Sequence, residues 1–303
     1  MSRTTPPLTV VIATHNRVPL LAQAIESVLA SPLVQSPAAV IVVDDASSDD
    51  TPAVAQRYGV RYERVSVGGP SGTRNAGLKL VETEFVAFLD DDDLWLPGNM
   101  APQLDALRRH PAAAYAYGRV QLADLEGVPF GVPFPYPPLR SGRAASYILM
   151  RPPQLGVVLF RRRMIGEEGG FDTELRYGED GDLLVRLAAK YPIMGVDHVG
   201  LCFRQRDSSI AEADARWRAH LDFARASRKW RRLGIQFPRL VLLKANAEYR
   251  GRASFYMCRD AQWAINHGQR TEARRLLGYA LRISPIHTLL RHRPFWATFR
   301  TLL

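Results

Sequence analysis

The chain has 303 residues, of which 47% are hydrophobic and 23% charged, and this composition is typical of a globular protein with one large or two smaller domains. No stretch approaches the ~20 apolar residues of a membrane-spanning helix, and the apolar run near the N-terminus is too short for a signal peptide. The only cysteines, Cys202 and Cys258, form no CxxC pair. We therefore expect a protein of the reducing cytoplasm that does not cross a membrane.

The net charge of +10 is distributed unevenly along the chain. Residues 1–210 contain 21 basic and 24 acidic residues, a net charge of −3, whereas residues 211–303 contain 19 and 6, a net charge of +13. This asymmetry predicts two regions, an α/β domain over residues 1–210 and a basic helical extension over residues 211–303. It also indicates an acidic partner for the extension, either a membrane surface or a nucleic acid.

In the first half of the chain, apolar runs alternate with helical patterns. Residues 8–13, 39–43 and 85–89 are short, continuous runs rich in β-branched or aromatic residues, which is typical of strands buried in a parallel sheet. Helices are predicted near Pro19, at Thr51-Pro52 and after the glycine-rich residues 68–72. The resulting βαβαβ pattern predicts an α/β fold with a doubly wound, mostly parallel sheet.

The second half is less regular. Residues 127–156 are dense in proline, glycine and aromatic residues, which predicts a long irregular loop. Strand patterns return at residues 155–160 and 193–203, with a helix between them at about residues 181–191. Beyond residue 210 the pattern is helical and rich in arginine. One apolar stripe is predicted to face inward there, and it consists of Ala273, Leu276, Leu277, Ala280 and Leu281.

Polar residues follow three of the predicted strands, at residues 14–17, 44–47 and 90–93. Since ligands of an open parallel sheet bind at the carboxyl ends of the strands, these clusters should converge on one site. The last cluster is four consecutive aspartates, whose mutual repulsion favours a bound cation. Mg²⁺ and Mn²⁺ prefer such oxygen ligands, with phosphate completing the shell. The alternative is a solvated acidic turn that caps the next helix.

Five segments together resemble the successive motifs of family 2 glycosyltransferases, in the family's order and at about its spacing. They read VVIATHNR, VVDDASSDDT, GGPSGTRNAGL, FVAFLDDDDLW and GGFDTEL…GEDGDLLVRLA, and they span roughly residues 7–210. The resemblance implies the GT-A fold, which is Rossmann-like, with a helical C-terminal extension. It also implies inverting transfer from a nucleotide-diphosphate sugar, with a UDP-sugar favoured, and a Mn²⁺ or Mg²⁺ cofactor.

The resemblance implies nucleotide-binding roles for residues at the first strand ends. Thr14 and Asp44 would contact the base, with Asp45 as the secondary candidate. Arg74 matches the arginine of the family's ARN motif and would lie by the ribose or diphosphate, where its fork suits phosphate oxygens. A surface arginine at a turn-to-helix junction is the alternative.

The four aspartates span the family's DXD motif. The resemblance implies that Asp90 faces the donor sugar, that Asp91 faces the ribose and that Asp92 binds the metal. Residues 178–182 resemble the ED motif, in which Glu179 and Asp180 would be catalytic and Asp180 the general base. An acceptor hydroxyl needs such a carboxylate to accept its proton. The alternative is that these carboxylates only cap the following helix.

The end of the catalytic region departs from the family. Many relatives place a histidine after a tyrosine-arginine pair, and Arg206 stands at about that position here. We therefore expect Arg206 to contact phosphate or acceptor directly. His198 lies nearby in a strand pattern, where an ordinary, partly buried histidine is the expected interpretation.

The sequence thus predicts a glycosyltransferase that acts on a sugar or a lipid-linked glycan. A sugar nucleotidyltransferase would need a lysine soon after the first strand, and the first lysine here is Lys79. An inactive sugar-nucleotide-binding module is the other alternative. The extension lacks a nucleic-acid-binding motif. Aromatic residues near its arginines suggest peripheral contact with the inner face of the membrane, and a homodimer is the competing use. These aromatic residues are Trp217, Trp230, Phe295 and Trp296.

Overall fold

The computed structural model describes residues 8–34, 36–175, 177–205 and 222–285. The chain divides into two compact units, one formed by Met1–Glu174 with Glu179–Gln205 and the other by Leu175–Gly178 with Arg206–Leu303. The boundary predicted after residue 210 falls outside the described residues and stays a prediction.

The first unit begins with strands and helices in alternation, as the apolar pattern predicts. The elements are β1 (Leu8–Thr14), α1 (Val18–Leu29), β2 (Val40–Asp45), α2 (Thr51–Tyr58), β3 (Arg61–Val65), α3 (Pro70–Leu80) and β4 (Phe85–Asp90). All four strands are parallel, with Thr14 paired to Asp44 and Ala13 to Asp90. Strand β3 was not predicted because it lies at the sheet edge, and its sequence RYERV has no apolar run.

The remainder of the unit extends the sheet with strands in both directions. Its elements are β5 (Leu94–Trp95), α4 (Ala101–Arg109), β6 (Tyr115–Ala123), β7 (Pro129–Phe134), α5 (Ala145–Met150), β8 (Val158–Arg161), α6 (Arg162–Glu167), α7 (Glu179–Lys190) and β9 (Met194–Arg204). The strand order is β3-β2-β1-β4-β8-β6-β9-β5, with β7 paired to β6. Each of β5, β7 and β8 runs antiparallel to its neighbours, so the sheet is mixed beyond β4.

The region of residues 127–156 is more regular than its composition predicts. Strand β7 pairs antiparallel with β6, and α5 follows it, so the prediction of an irregular loop was wrong for these two elements. Proline is tolerated in β7 because the strand pairs with β6 alone and leaves its other edge free of ladder bonds. The side chain of Arg119 on β6 closes the hairpin by donating to the carbonyl oxygens of Pro133 and Pro135.

The core of the unit holds the strand ends in place. Leu21 and Ile25 of α1 and Leu107 of α4 are fully buried on one face of the sheet, and each such side chain stabilises the fold by about 1.5–3 kcal/mol. On α3, a Cβ at Gly77 would lie 2.4 Å from Cγ1 of Val11. Only glycine therefore lets α3 lie this close to the sheet.

The second unit is helical over its described residues. Residues 222–232 form α8, followed by α9 (Arg239–Asn266) and α10 (Arg270–Ile283). The predicted stripe on α10 is confirmed, since four of its members are buried against α9 and the fifth, Leu281, packs partly buried beside them. Within the described residues, no helix has the length and hydropathy needed to span a bilayer.

Of the four aromatic residues predicted to contact the membrane, the structure describes one. Trp230 is only 3% exposed and packs edge-on against Phe223 and Phe237, so it belongs to the interior of the second unit and cannot insert into a bilayer. The other three, Trp217, Phe295 and Trp296, lie outside the described residues.

Candidate active site

The carboxyl ends of β1, β2 and β4 carry the polar residues that the sequence singles out. Parallel pairing brings these ends to one edge of the sheet. The N-terminal turns of α3 and α7 supply Arg74 and Glu179, which hydrogen bond to each other and, through Arg74, to Asp90. One site therefore unites parts of all five sequence motifs.

Two side chains hold the buried carboxylate of Asp91 in place. Thr14 donates its hydroxyl to one oxygen at 2.8 Å, and Arg17 donates to the other at 2.7 Å. Burial raises the pKa of Asp91, while the arginine and the hydrogen bonds oppose that rise. Both oxygens are thus engaged within the protein. Arg17 is a contact that the sequence interpretation missed, although it belongs to the polar cluster after β1.

Three other aspartates form a set that suits a hard divalent cation. Asp90, Asp92 and Asp93 each offer a carboxylate oxygen, and these oxygens lie within 4.8 Å of one another. Burial, followed by the neighbouring charges of Asp92 and Asp90, raises the pKa of Asp93 well above its usual value. A cation would relieve this repulsion, so the residues fit Mn²⁺ or Mg²⁺. From the sequence, the four aspartates together favour a cation and the resemblance assigns it to Asp92; the structure places carboxylate oxygens of Asp90 and Asp93 close enough to share such an ion.

Arg204, at the end of β9, supports the loop that carries these carboxylates. Its backbone N–H donates to Asp93 at 3.0 Å, and its Nε donates to the backbone carbonyl of Asp92. One guanidinium nitrogen donates to Gln23 on α1. Arg204 is 3% exposed, so its positively charged guanidinium is buried next to the acidic loop. No role was predicted for this arginine from its position in the sequence.

Arg74 links the DXD and ED segments. Its Nη2 donates to Asp90 at 2.6 Å and its Nη1 to Glu179 at 2.7 Å, and the guanidinium lies 5.6 Å from the centroid of the Phe171 ring. The residue is 6% exposed, and among the described residues its Nε has no hydrogen-bond partner. Both terminal nitrogens therefore bind carboxylates of the protein rather than facing solvent.

The two carboxylates of the ED segment share this environment. Burial raises the pKa of Glu179 and of Asp180, and the positive charge of Arg74 opposes the rise in both cases. Asp180 accepts the backbone N–H of Gly181 at 2.7 Å and remains partly exposed. A carboxylate in this position can accept a proton from a group in the site.

Asp182, the third carboxylate at this helix end, has a structural role. It is buried and pairs with Arg186 at 2.8 Å, one helical turn later. Arg186 also donates to the backbone carbonyl oxygens of Glu168 and Gly170. The pair therefore holds the loop before α7 in place, and Glu179 and Asp180 are the carboxylates of this helix end that remain available for catalysis.

The two aspartates at the end of β2 have different surroundings. Asp44 is fully buried, and its carboxylate accepts hydrogen bonds from the backbone of Ser47, the hydroxyl of Tyr62 and the guanidinium of Arg64. Asp45 is partly exposed and accepts three backbone N–H groups from residues 67–69. Burial raises the pKa of Asp45, but these hydrogen bonds outweigh burial, and the pKa lies below its usual value.

Two further residues were singled out from the sequence. Arg206 falls outside the described residues, so its expected contact with phosphate or acceptor stays a prediction. His198 is partly buried on β9, and among the described side chains it is not one of the group suited to a metal. Its ring lies beside Gly98, in keeping with an ordinary strand histidine.

Residues 9–134 match the family model described as Glycosyl transferase family 2. The sequence is 35% identical over 129 residues to the GalNAc(5)-diNAcBac-PP-undecaprenol beta-1,3-glucosyltransferase of Campylobacter jejuni, covering 40% of each chain. It is 32% identical over 234 residues to the succinoglycan biosynthesis protein ExoO of Rhizobium meliloti, covering 68% of this chain and 63% of the relative. The chain thus spans less than two thirds of the length of these curated relatives.

Solved structures of glycosyltransferases share the fold of this chain. The structure of Staphylococcus aureus TarS residues 1–349 with UDP aligns with a TM-score of 0.56 at 17% identity, covering 97% of this chain and 91% of that one. The mannosyltransferase PcManGT of Pyrobaculum calidifontis, with GDP-Man and Mn²⁺, aligns with a TM-score of 0.57 at 16% identity, covering 96% and 89%. The predicted GT-A fold with a helical C-terminal part is confirmed, and residues 9–134 carry the match to glycosyl transferase family 2.

Proposed function

We propose that this protein transfers a sugar from a nucleotide-diphosphate sugar to an acceptor hydroxyl, with inversion at the anomeric carbon. The observation that carries the proposal is the link from Asp90 through Arg74 to Glu179. It sets a cluster of carboxylates suited to a metal ion beside Glu179 and Asp180, the carboxylates suited to proton transfer. The match of residues 9–134 to glycosyl transferase family 2 supports sugar transfer as the reaction of this arrangement.

The nucleotide is proposed to bind across the ends of β1 and β2. Thr14 and Asp45 line this part of the site, and Asp45 keeps lone pairs for an N–H of the base in addition to its backbone contacts. We place the base contact on Asp45 rather than on Asp44, because the carboxylate of Asp44 is fully buried whereas that of Asp45 is partly exposed. Asp91, fixed by Thr14 and Arg17, is proposed to shape the ribose side.

Asp90, Asp92 and Asp93 are proposed to hold Mn²⁺ or Mg²⁺. When bound, the cation would neutralise the charge that develops on the departing diphosphate. Arg204 keeps the loop in position from below. Arg74 orients Asp90 toward the donor sugar, and its charge opposes the rise that burial causes in the pKa of Glu179.

Asp180 is proposed as the general base. In the proposed step, the acceptor oxygen forms a bond to the anomeric carbon while its proton passes to a carboxylate oxygen of Asp180. The bond from that carbon to the diphosphate breaks, and the nucleoside diphosphate leaves with the electron pair. A base with a pKa above the usual aspartate range is better matched to this transfer than an ordinary surface carboxylate.

The acceptor and donor are proposed by likeness to relatives. The Campylobacter jejuni relative is named for an undecaprenol-linked glycan, and TarS and PcManGT are described with UDP and GDP-Man. We therefore propose a lipid-linked glycan as the acceptor class and a UDP-sugar as the favoured donor.

A panel of nucleotide diphosphates and their sugars tests the proposal by thermal shift, with and without Mn²⁺. A ligand that binds only the folded state raises Tm by mass action. We therefore expect one nucleotide to raise Tm more than the others do, and only when Mn²⁺ is present. Release of the nucleoside diphosphate from the matching sugar donor should then be measurable. Binding without any such release, with acceptor glycans supplied, would instead support the inactive sugar-nucleotide-binding module.

A further inference from the structure

The second unit exposes a helix face on which apolar residues lie between cations. On α9, Leu240 and Leu243 are 62% and 66% exposed, and Arg239, Lys244 and Ala247 are exposed beside them. At roughly 100° per residue these five positions span about 140° of the helix circumference. Arg239 and Lys244 mark the two edges, with the leucines and the alanine between them. We call these five residues the basic–apolar face.

The interior of the unit does not account for these leucines. The apolar packing between α8 and α9 is supplied by an aromatic cluster on the inward side. Tyr249 of α9 packs 5.4 Å from Phe223, which in turn contacts Trp230. Ala245, on the same inward side of α9, is 1% exposed. The leucines point the other way, so burial in the unit does not explain them.

The charge around the face is mostly positive. Residues 223–247 contain seven lysine or arginine residues and no aspartate or glutamate, and the exposed Glu248 follows directly, about 40° beyond Lys244 around the helix. Arg231 and Arg232 are exposed at the end of α8, directly before Leu233, which is itself 46% exposed. An extended positive surface with protruding leucines is therefore present at the α8–α9 turn and along the first two turns of α9.

We propose that the basic–apolar face, with Arg231, Arg232 and Leu233, binds the surface of an anionic lipid bilayer. The leucines enter the boundary between headgroups and acyl chains, and the flanking cations stay level with the phosphates. A nucleic acid would use the cations and leave the leucines in water. A second copy of the same face would bring like charges together. The anionic bilayer satisfies both features.

Vesicle co-sedimentation of the full chain tests this proposal without any sugar donor, so its outcome is independent of the proposed catalysis. Vesicles of phosphatidylcholine alone are compared with vesicles containing phosphatidylglycerol, at low and high salt. The wild-type chain should bind only the anionic vesicles and dissociate as salt rises. Leu240→Ser with Leu243→Ser should lower the partition coefficient about tenfold or more. Neutralisation of the four cations to glutamine should have at least as large an effect.

Two matched variants serve as controls on the catalytic unit. Arg108→Gln with Arg109→Gln removes two exposed cations from α4, and Val128→Ser with Val132→Ser removes two exposed apolar residues from the β6–β7 hairpin. Both should bind vesicles like the wild type, and an unchanged Tm in every variant shows that folding is intact. Equal binding to neutral vesicles, no binding to either, or loss only in a control variant would overturn the proposal. If the wild-type chain formed a dimer and bound no vesicles, and the leucine variant were monomeric, the face would instead bind a second copy of the chain and the proposal would be overturned.

Discussion

The guanidinium of Arg74 lies 2.7 Å from the carboxylate of Glu179, which is 105 positions later in the chain. This contact joins the start of α3 to the start of α7, and the same guanidinium reaches the carboxylate at the end of β4. Because Arg74 and Glu179 are both buried, their charges interact in a medium less polar than water, whereas Asp90 is partly exposed. The contact therefore couples the two acidic parts of the site electrostatically as well as geometrically.

We expect Arg74→Met to move the acid limb of the kcat profile to higher pH. Burial raises the pKa of Asp180 and the charge of Arg74 lowers it, so loss of that charge raises the pKa further. The base works only when deprotonated, and activity should then be lost at a higher pH than in the wild type. Arg74→Lys, which keeps the charge, should move the limb back toward the wild-type position. A limb that stays in place in Arg74→Met would contradict this role.

Removal of one metal ligand should abolish the effect of Mn²⁺ on nucleotide binding. Calorimetry of Asp92→Asn should give one nucleotide affinity with Mn²⁺ and with EDTA, because the cation that bridges carboxylate to phosphate is lost. The exposed Asp105→Asn on α4 is the control and should keep the full metal dependence. If wild-type nucleotide affinity were the same in EDTA as in Mn²⁺, the metal assignment would be wrong.

Two substitutions at the start of α7 separate chemistry from stability. Asp180→Asn keeps the shape of the side chain but accepts no proton, and it should lower turnover by about two to four orders of magnitude with donor affinity nearly unchanged. Asp182→Asn should retain most turnover and lower the free energy of unfolding by about 3–5 kcal/mol, because Arg186 loses its buried anion. Steady-state kinetics and urea denaturation measure the two effects. The reverse pattern would transfer the base role to Asp182.

Arg17→Gln should strengthen the binding of Mn²⁺ in the absence of nucleotide. The guanidinium lies 2.7 Å from Asp91 and 3.4 Å from Asp92, so it adds positive charge beside the metal ligands. Its removal should lower the Kd for Mn²⁺ roughly two- to tenfold, measured by the electron paramagnetic resonance signal of free Mn²⁺. Arg109→Gln, remote on α4, should leave the Kd unchanged. An equal or weaker affinity in Arg17→Gln would show that this arginine does not oppose the cation.

The sequence by itself determined the framework of the catalytic unit. Buried strands such as β1 and β4 are continuous apolar runs, and α3 follows a glycine-rich turn, so local pattern is enough to place them. Parallel pairing then requires that Thr14 and Asp90 end at the same edge. Strands β3, β5, β6 and β7 escaped prediction. For β3 and β7 the reason is that a strand that pairs on one side only needs no continuous apolar run.

Only the tertiary structure decided how the charged residues share the site. The order of motifs cannot show that Arg74 donates hydrogen bonds to Asp90 and Glu179. Nor can it show that Arg17 donates to Asp91, or that Asp44 is fully buried. These contacts join residues from 16 to 105 positions apart, and a side chain's partners depend on which groups burial leaves without water. Sequence periodicity records which face of an element is buried. It does not record which charge lies opposite another once the elements pack.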